Sequence, residues 1–571
     1  MAIFAHPVAM DDPPMTQRQR NAAIYFASDG YDPAGRGING RRVAGESFLR
    51  GFLRHADVAE FVPLTPRSED QALFARIAAE ERPRVAVRPV PMRHVQQMAP
   101  LGTLFYPSPN FAAETWRRAP FGQAAWSICG ITHTISTKGV MQGFHDLRMA
   151  PQAEWDAVIC TSRAVLAAVL HQFELIDAHA TMRFGAPPPA RPQTPVIPLG
   201  VNCAAFAPNA AAGQGLRQRL GIGPDDVVFA TIARLSPHEK FDPLPLYIAL
   251  AAAQAQMPPG CRVHLVLCGI FREQYSRGVF EKGATGLMPA VGFHLLDGAD
   301  PAERKAVLSG ADVFVFAIDN IQETFGLAPI EAMAAGLPCL VSDWDGLRDT
   351  VTADVGIRVP TRTLAPRHAE QESFRHLTGV DSYAQYCALA SAMTEIDLPA
   401  LTEAIVALAV DPGLRARMGQ AAQARARNVY DWANVIPQMQ DLWAELALRR
   451  HTAQARAEAA IPRAALPVAP SPFAMFGAYP TRQGGLDEGR FVAADLTGRP
   501  GIAETFALRN YAGLGRAPER AETLALVQAR VAAAGALGLD LAEIDAQTGI
   551  SGITLDRAVI WLLKYGFLRQ I

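Results

Sequence analysis

The sequence lacks most of the features that would assign a class at a glance. Its 571 residues hold seven cysteines, and no two of them form a Cys-x-x-Cys pair. Several lie inside apolar runs, Cys268 in VHLVLCG among them, so they read as small buried hydrophobes in a reducing compartment. No clustered ligands stand at a zinc spacing. No apolar stretch reaches the roughly 18 residues that a membrane helix needs. The start, MAIFAHPVAMDDPPMTQRQR, has no basic segment followed by an apolar core and is not expected to be a signal peptide. A cytoplasmic protein is expected, with peripheral contact at the inner membrane face left open. Charge is balanced, 53 Lys and Arg against 55 Asp and Glu, so neither a nucleic-acid-binding surplus nor an acidic solvating tail is present. No repeat of fixed period is found.

What is present is apolar material: half the residues are hydrophobic and 19% charged, enough for several cores. Short β-rich runs alternate with helical stretches. The first series is AAIYFAS (22–28), RVAVRPV (84–90), GTLFYP, WSICGIT (126–132) and DAVICTS (156–162). The second is VVFATIA (227–233), RVHLVLCG (262–269), DVFVFAI (312–318), PCLVSD (338–343) and VGIRV (355–359). Runs that are apolar throughout suit strands covered on both faces, and strict alternation with helices implies parallel βαβ units. The expected fold is α/β, with two Rossmann-like doubly wound domains at 21–205 and 206–427. A tail (1–20) precedes them. A helix at 428–450, a Pro- and Ala-rich linker at 451–475 and a small, mainly α domain at 476–571 follow.

Chemistry concentrates in ETFGLAPIEAMAAGLP, residues 323–338. Pro329 suits a first helical turn, and Gly336 with Pro338 suits its end. Phe325, Gly326 and Leu327 are then expected to offer free backbone N–H groups to phosphate or sugar oxygens. Glu323 before the helix and Glu331 within it can accept from sugar hydroxyls. Spacing alone equally allows two helix-start acids favoured by the dipole. In TIARLSPHEKFDPL, Arg234 leaves an apolar strand and Lys240 follows a short loop. Together they could neutralise a pyrophosphate, or simply be solvated surface charge.

These segments resemble the retaining family-four glycosyltransferases of the GT-B fold. ETFGLAPIE matches their Glu, seven residues, Glu signature, and ARLSPHEK, GADVFVFA, VIPLGVNCAAFAP and VYDWANVIPQMQDLWAEL are similar to flanking family segments, over roughly residues 20 to 450. The resemblance implies that Arg234 and Lys240 hold the donor diphosphate, Glu331 the ribose and Glu323 the transferred sugar. It implies that backbone at Phe325, Gly326 and Leu327 lines that sugar and the distal phosphate. It implies a cleft role for His133 and a glycine-rich first loop at Gly37 and Gly40. It also implies that helix 428–450 crosses back onto the first domain. No cofactor and no metal are expected, since no Asp-x-Asp motif stands out as a metal site. The implied partners are a nucleotide-sugar donor and a glycan, lipid-linked or small-molecule acceptor. The implied activity is retaining transfer, in polysaccharide or glycoconjugate synthesis. A sugar phosphorylase, a nucleotide-sugar epimerase and a scaffold with a vestigial site remain alternatives. Two departures stand out: Phe241 follows Lys240 where the family often has Gly, and 361–395 is long, its Tyr383 and Tyr386 reading as packing aromatics rather than a flap.

The C-terminal segment LDLAEIDAQTGISGITLDRAVIWLLKYGFLRQI reads as helix, turn, helix and is similar to a winged-helix core. Its second helix carries only Arg557 and Lys564 against Asp556, too little cationic surface for DNA. Docking to a protein or self-association is expected instead, with little room left for a wing.

Overall fold

The computed structural model describes residues 19–31 and 40–571. Nearly all of the expected tail, and Gly37, lie outside them. The chain divides into two compact units, Met1–Arg463 and Ala464–Ile571.

The first unit holds two parallel sheets. In the first lobe the strands are β1 (Ala23–Tyr25), β2 (Glu60–Thr65), β3 (Ala86–Val87), β4 (Val90–Pro91), β5 (Thr103–Tyr106), β6 (Ser127–Ile131) and β7 (Ala157–Ile159). Their order is β3-β2-β1-β5-β6-β7, with β4 also on β2. Ile24, Phe105, Cys129 and Ile159 face one core with Phe48 and Phe52 of the helix Gly40–His55. Ala23, Leu104, Ile128 and Val158 face another, with Phe144 and Val169. Burial on both faces explains why these strands read as unbroken apolar runs. β2 escaped the sequence reading because EFVPLT opens on an acid and contains Pro63. That proline falls between the pairings Phe61 to Val87 and Leu64 to Val90, where the neighbouring ladder is interrupted and no N–H is needed.

The second lobe runs β8 (Val227–Arg234), β9 (Val263–Ile270), β10 (Gly292–Asp297), β11 (Val313–Phe316), β12 (Cys339–Ser342) and β13 (Gly356–Val359). The order is β10-β9-β8-β11-β12-β13. β10 was not foreseen: it is an edge strand, half-exposed over most of its length, and its FHLLD mixes His and Asp with apolar residues. The order reverses between β8 and β11, so a crevice opens at their carboxyl ends.

The chain then returns to the first lobe. The Val201 N–H donates to the Tyr430 carbonyl at 2.8 Å, and the Trp432 N–H donates to the Val201 carbonyl at 3.2 Å. Asp431 caps the helix Trp432–Ala453, accepting from the Ala433 N–H, and also accepts from the Cys203 N–H at 3.1 Å. This helix sets Trp432 against Phe48 and Trp443 against Phe52 and Phe105, inside the first lobe's core. Among the described residues no helix is long and apolar enough to cross a membrane.

In the second unit, helices Ala521–Ala533, Leu541–Thr548 and Gly552–Lys564 enclose Leu524, Val527, Ile544, Val559 and Leu562. Asp540 and Glu543 form a capping box on the second helix, and Gly549 ends it in the left-handed region. A small antiparallel sheet does exist: β16 (Phe491–Ala493) pairs with β17 (Leu568–Gln570). Its first strand comes from before the helices and was not foreseen from the sequence.

Candidate functional site

Of the charged residues singled out from the sequence, Arg234, Lys240 and Glu323 lie close together where the second lobe's strands end. Arg234 is the last residue of β8, and Lys240 closes the turn after it. Lys240 Nζ lies 5.2 Å over the Phe316 ring and donates to Glu323 Oε2. Phe241, which follows Lys240, is buried against Phe280 and Phe316, so it anchors the lysine's turn in the core. The Arg234 guanidinium contacts Glu239 Oε2 at 3.1 Å and donates to Gln322 Oε1. Burial pulls its pKa below the ordinary arginine value, against the opposing charge of Glu239.

The loop 320–326 leads into the helix Leu327–Ala334. Gly326 takes φ +81°, a conformation that a side chain would strain. The N–H groups of this turn are not all free, which corrects the sequence expectation. Glu323 folds back so that Oε1 accepts from Gly326 N–H at 3.1 Å and Thr324 N–H at 3.3 Å. A carboxylate three residues from exposed helix N–H groups caps them as an N-cap side chain does. Burial alone would raise the Glu323 pKa. The Lys240 ammonium and these N–H donors outweigh it and hold the carboxyl below the usual range. Glu331, one turn into the helix, has no such partners; burial pushes its pKa up to about 7, opposed only by the charge of Arg304.

The first lobe faces this loop with hydroxyls. Thr134 Oγ1 donates to the Gln322 carbonyl at 3.3 Å, and Ser162 Oγ donates to the Thr324 carbonyl at 3.0 Å. His133 precedes Thr134 just after β6 and borders a small apolar hollow with Pro107, Ile131 and Pro198. Gly40 opens the helix Gly40–His55, so of the expected glycine-rich loop only its end is described. Residues 361–396 form the hairpin β14 (Thr361–Thr363) and β15 (Thr394–Ile396) with the helices Glu370–Leu377 and Tyr383–Ala392 between them. Tyr386 does pack, stacked on His376 at 4.5 Å. Tyr383 does more than pack: its hydroxyl lies 2.8 Å from Ser136 Oγ of the first lobe and also meets Gln322. Lys138 Nζ reaches the Leu377 carbonyl at 2.8 Å. Aromatic residues between helical ones gave no sign of this reach across the cleft.

Sequence reasoning also missed the turn after β12. Asp343-Trp344-Asp345 does have the Asp-x-Asp spacing, but the two carboxylates serve different neighbours. Asp343 faces Arg358 at 3.3 Å and Arg348 at 3.8 Å, whereas Asp345 lies under the charges of Glu323 and Lys240. Among the described residues no group of three or more His, Cys, Asp or Glu side chains could hold a metal ion. Beside the charged loop, a cavity of about 470 Å³ opens at the ends of β9 and β10, bordered by Arg272, Glu273, Arg277 and Asp297.

Residues 214–377 match the family model for glycosyl transferases group 1. That span contains Arg234, Lys240, Glu323, Glu331 and Asp345. The chain is 29% identical over 218 residues to the GDP-mannose-dependent alpha-(1-6)-phosphatidylinositol dimannoside mannosyltransferase of Mycobacterium tuberculosis, covering 38% of this chain and 49% of that protein. It is 27% identical over 261 residues to the D-inositol 3-phosphate glycosyltransferase of Kribbella flavida, covering 45% and 51%. The chain thus spans about half the length of the curated relatives it matches. Among solved structures, Anabaena Alr3699/HepE in complex with UDP aligns over 74% of this chain and all of that one, at 16% identity and a TM-score of 0.46.

Proposed function

We propose that the first unit is a glycosyltransferase that moves a sugar from a nucleoside diphosphate sugar to an acceptor hydroxyl, with retention of configuration and without a metal ion. The observation that carries this reading is the convergence of Arg234, Lys240 and Glu323 on one rim, at the topological switch point of a doubly wound sheet. Arg234 and Lys240 sit where a diphosphate needs neutralising. Glu323 and Glu331 are acceptors for the hydroxyls of the sugar and the ribose. The match of 214–377 to the glycosyl transferase model supports the same assignment.

In this reading the Lys240 to Glu323 pair opens as the donor enters. The one charge-assisted hydrogen bond between them is worth about 1.5–3 kcal/mol net. A diphosphate on Lys240 and a sugar hydroxyl on Glu323 replace both halves. The bond from the anomeric carbon to the phosphate oxygen then breaks while the acceptor oxygen bonds to the same face. The acceptor proton passes to the departing phosphate oxygen. Fixed cations aimed at that oxygen stabilise the charge it gains.

Thermal shift with UDP, GDP, ADP and their common sugars tests the assignment. A ligand at a hundredfold excess over its Kd stabilises the folded state by about 2.7 kcal/mol. With the donor found, Glu323→Ala is expected to fold and to lose about 100-fold or more in turnover, the scale of losing an electrostatic transition-state contact. Absence of any shift with all these ligands would overturn the proposal.

A further inference from the structure

The turn 343–346 is pressed onto the loop that carries Glu323. A Cβ on Gly346 would come within 2.6 Å of Phe325 Cα and 2.7 Å of the Thr324 carbonyl oxygen, so only glycine allows the two loops to meet. The Trp344 indole N–H donates to the Asn320 carbonyl at 3.1 Å and fixes the turn from its other side. Between them Asp345 is held at φ +38°; it and Asn510 are the non-glycine residues with positive φ among the described residues. Its Oδ1 accepts from the Gly346 N–H. Its Oδ2 is shut off from solvent and has no hydrogen-bond partner in the protein.

This carboxyl is costly three times over. It occupies a backbone conformation that suits glycine, it leaves a buried oxygen unsatisfied, and it stands close enough to Glu323 to feel its charge. Burial first, and then the negative charge of Glu323, hold its pKa well above the ordinary carboxylate range, with Lys240 opposing. A glycine would make the same turn at none of these costs, so the turn does not account for the side chain. A ligand group that supplies the missing hydrogen bond would.

We propose that Asp345 reads the transferred sugar: as the neighbouring Lys240 to Glu323 pair opens, Oδ2 is uncovered and hydrogen-bonds a sugar hydroxyl beside the one held by Glu323, and so sets which nucleoside diphosphate sugar is used. This rests on the proposed function and names a specificity residue for it. A hydroxyl both donates and accepts, so it can bridge an ionised Glu323 and a neutral Asp345 where a second bare carboxylate could not.

Calorimetric titration in EDTA tests the assignment, using UDP, GDP, ADP, UDP-glucose, GDP-mannose and ADP-glucose on wild type, Asp345→Gly and Asp345→Asn. Glycine suits the backbone, so Asp345→Gly is expected to melt at a higher temperature than wild type. It should bind the nucleoside diphosphate within about twofold of wild type, yet lose about tenfold or more of the affinity added by the sugar, the equivalent of one well-made hydrogen bond. Asp345→Asn keeps a hydrogen-bond donor, its amide N–H, for the sugar hydroxyl and should lose less. Equal changes for nucleotide and nucleotide sugar would overturn the role of Asp345 alone. A sugar contribution that appears only when Mg²⁺ replaces EDTA would also overturn it, by placing a cation between carboxyl and sugar. Failure of wild type to bind any of the six ligands would instead remove the proposed function on which this inference stands.

Discussion

The two rims of the cleft are built from different chemistry. The second lobe contributes Arg234, Lys240, Glu323 and Asp345, charged or chargeable groups set around strand ends, and Glu331 from the helix that follows one of them. The first lobe answers mainly with neutral hydroxyls, Thr134, Ser136 and Ser162, two of them spent on backbone carbonyls across the cleft, and with the Lys138 ammonium, also spent on a carbonyl. Neutral hydrogen bonds of this kind contribute about 0.5–1.5 kcal/mol each, so that rim can let go and re-form. The salt bridge that crosses the cleft, Arg163 to Asp349 at 2.6 Å, has an arginine side chain 76% exposed, and solvent screens it. Charges fixed on one side and weak, exchangeable contacts on the other suit a cleft that grips a charged donor with one lobe and opens with the other.

The largest expected effect comes from removing the first lobe's support altogether. Trp443 is fully buried between Phe52 and Phe105, and Trp443→Ala should cost about 3–5 kcal/mol in chemical denaturation. If the rims are as unlike as their chemistry indicates, nucleoside diphosphate binding to the second lobe should survive better than turnover does. Equal loss of both would erase the distinction.

A middle-sized effect is expected from pH. Glu331, with a pKa near 7 in the folded protein against 4.5 for the free group, is mostly protonated below neutrality. Its raised pKa favours the folded state fully below the unfolded value and loses that contribution as pH rises through about 7. Accepting two ribose hydroxyls favours the ionised form, so affinity for a nucleotide sugar should rise from pH 6 to 8. A nucleotide sugar has no phosphate ionisation of its own in that window. Glu331→Gln should flatten the profile, which parallel titrations at the two pH values would show.

Ser162→Ala should be the mildest change. It removes one neutral contact to the Thr324 carbonyl and should alter donor affinity by less than about threefold. A tenfold loss would place the hydroxyl rim among the gripping groups and blur the comparison.

The charged rim was the legible one. Arg234 and Lys240 stand out because fixed charges around the end of an apolar strand add nothing to the sheet, and Glu323 and Glu331 because their spacing around a helix start resembles a glycosyltransferase signature. What they do among themselves was not legible, since Lys240 pairing with Glu323 depends on where two separate strand ends converge, and Glu323 capping Gly326 on how the loop after β11 folds back. The hydroxyl rim left no trace, because Thr and Ser after a strand are ordinary turn residues. Asp345 was hidden for a similar reason: Asp-Gly after a strand reads as a turn, and only the backbone angle shows that the aspartate is the uncomfortable member. Both sheets were readable from their runs of buried apolar residues. β2 and β10 were not, one interrupted by a proline and the other half-exposed at an edge.

The helix Trp432–Ala453 has a consequence for how the chain is made. The first lobe cannot close its core until Trp432 and Trp443 arrive, and they leave the ribosome only after the entire second lobe. The half made first is therefore the half finished last. A chain cut short just before this helix would keep a complete charged rim but have no finished wall to close against it.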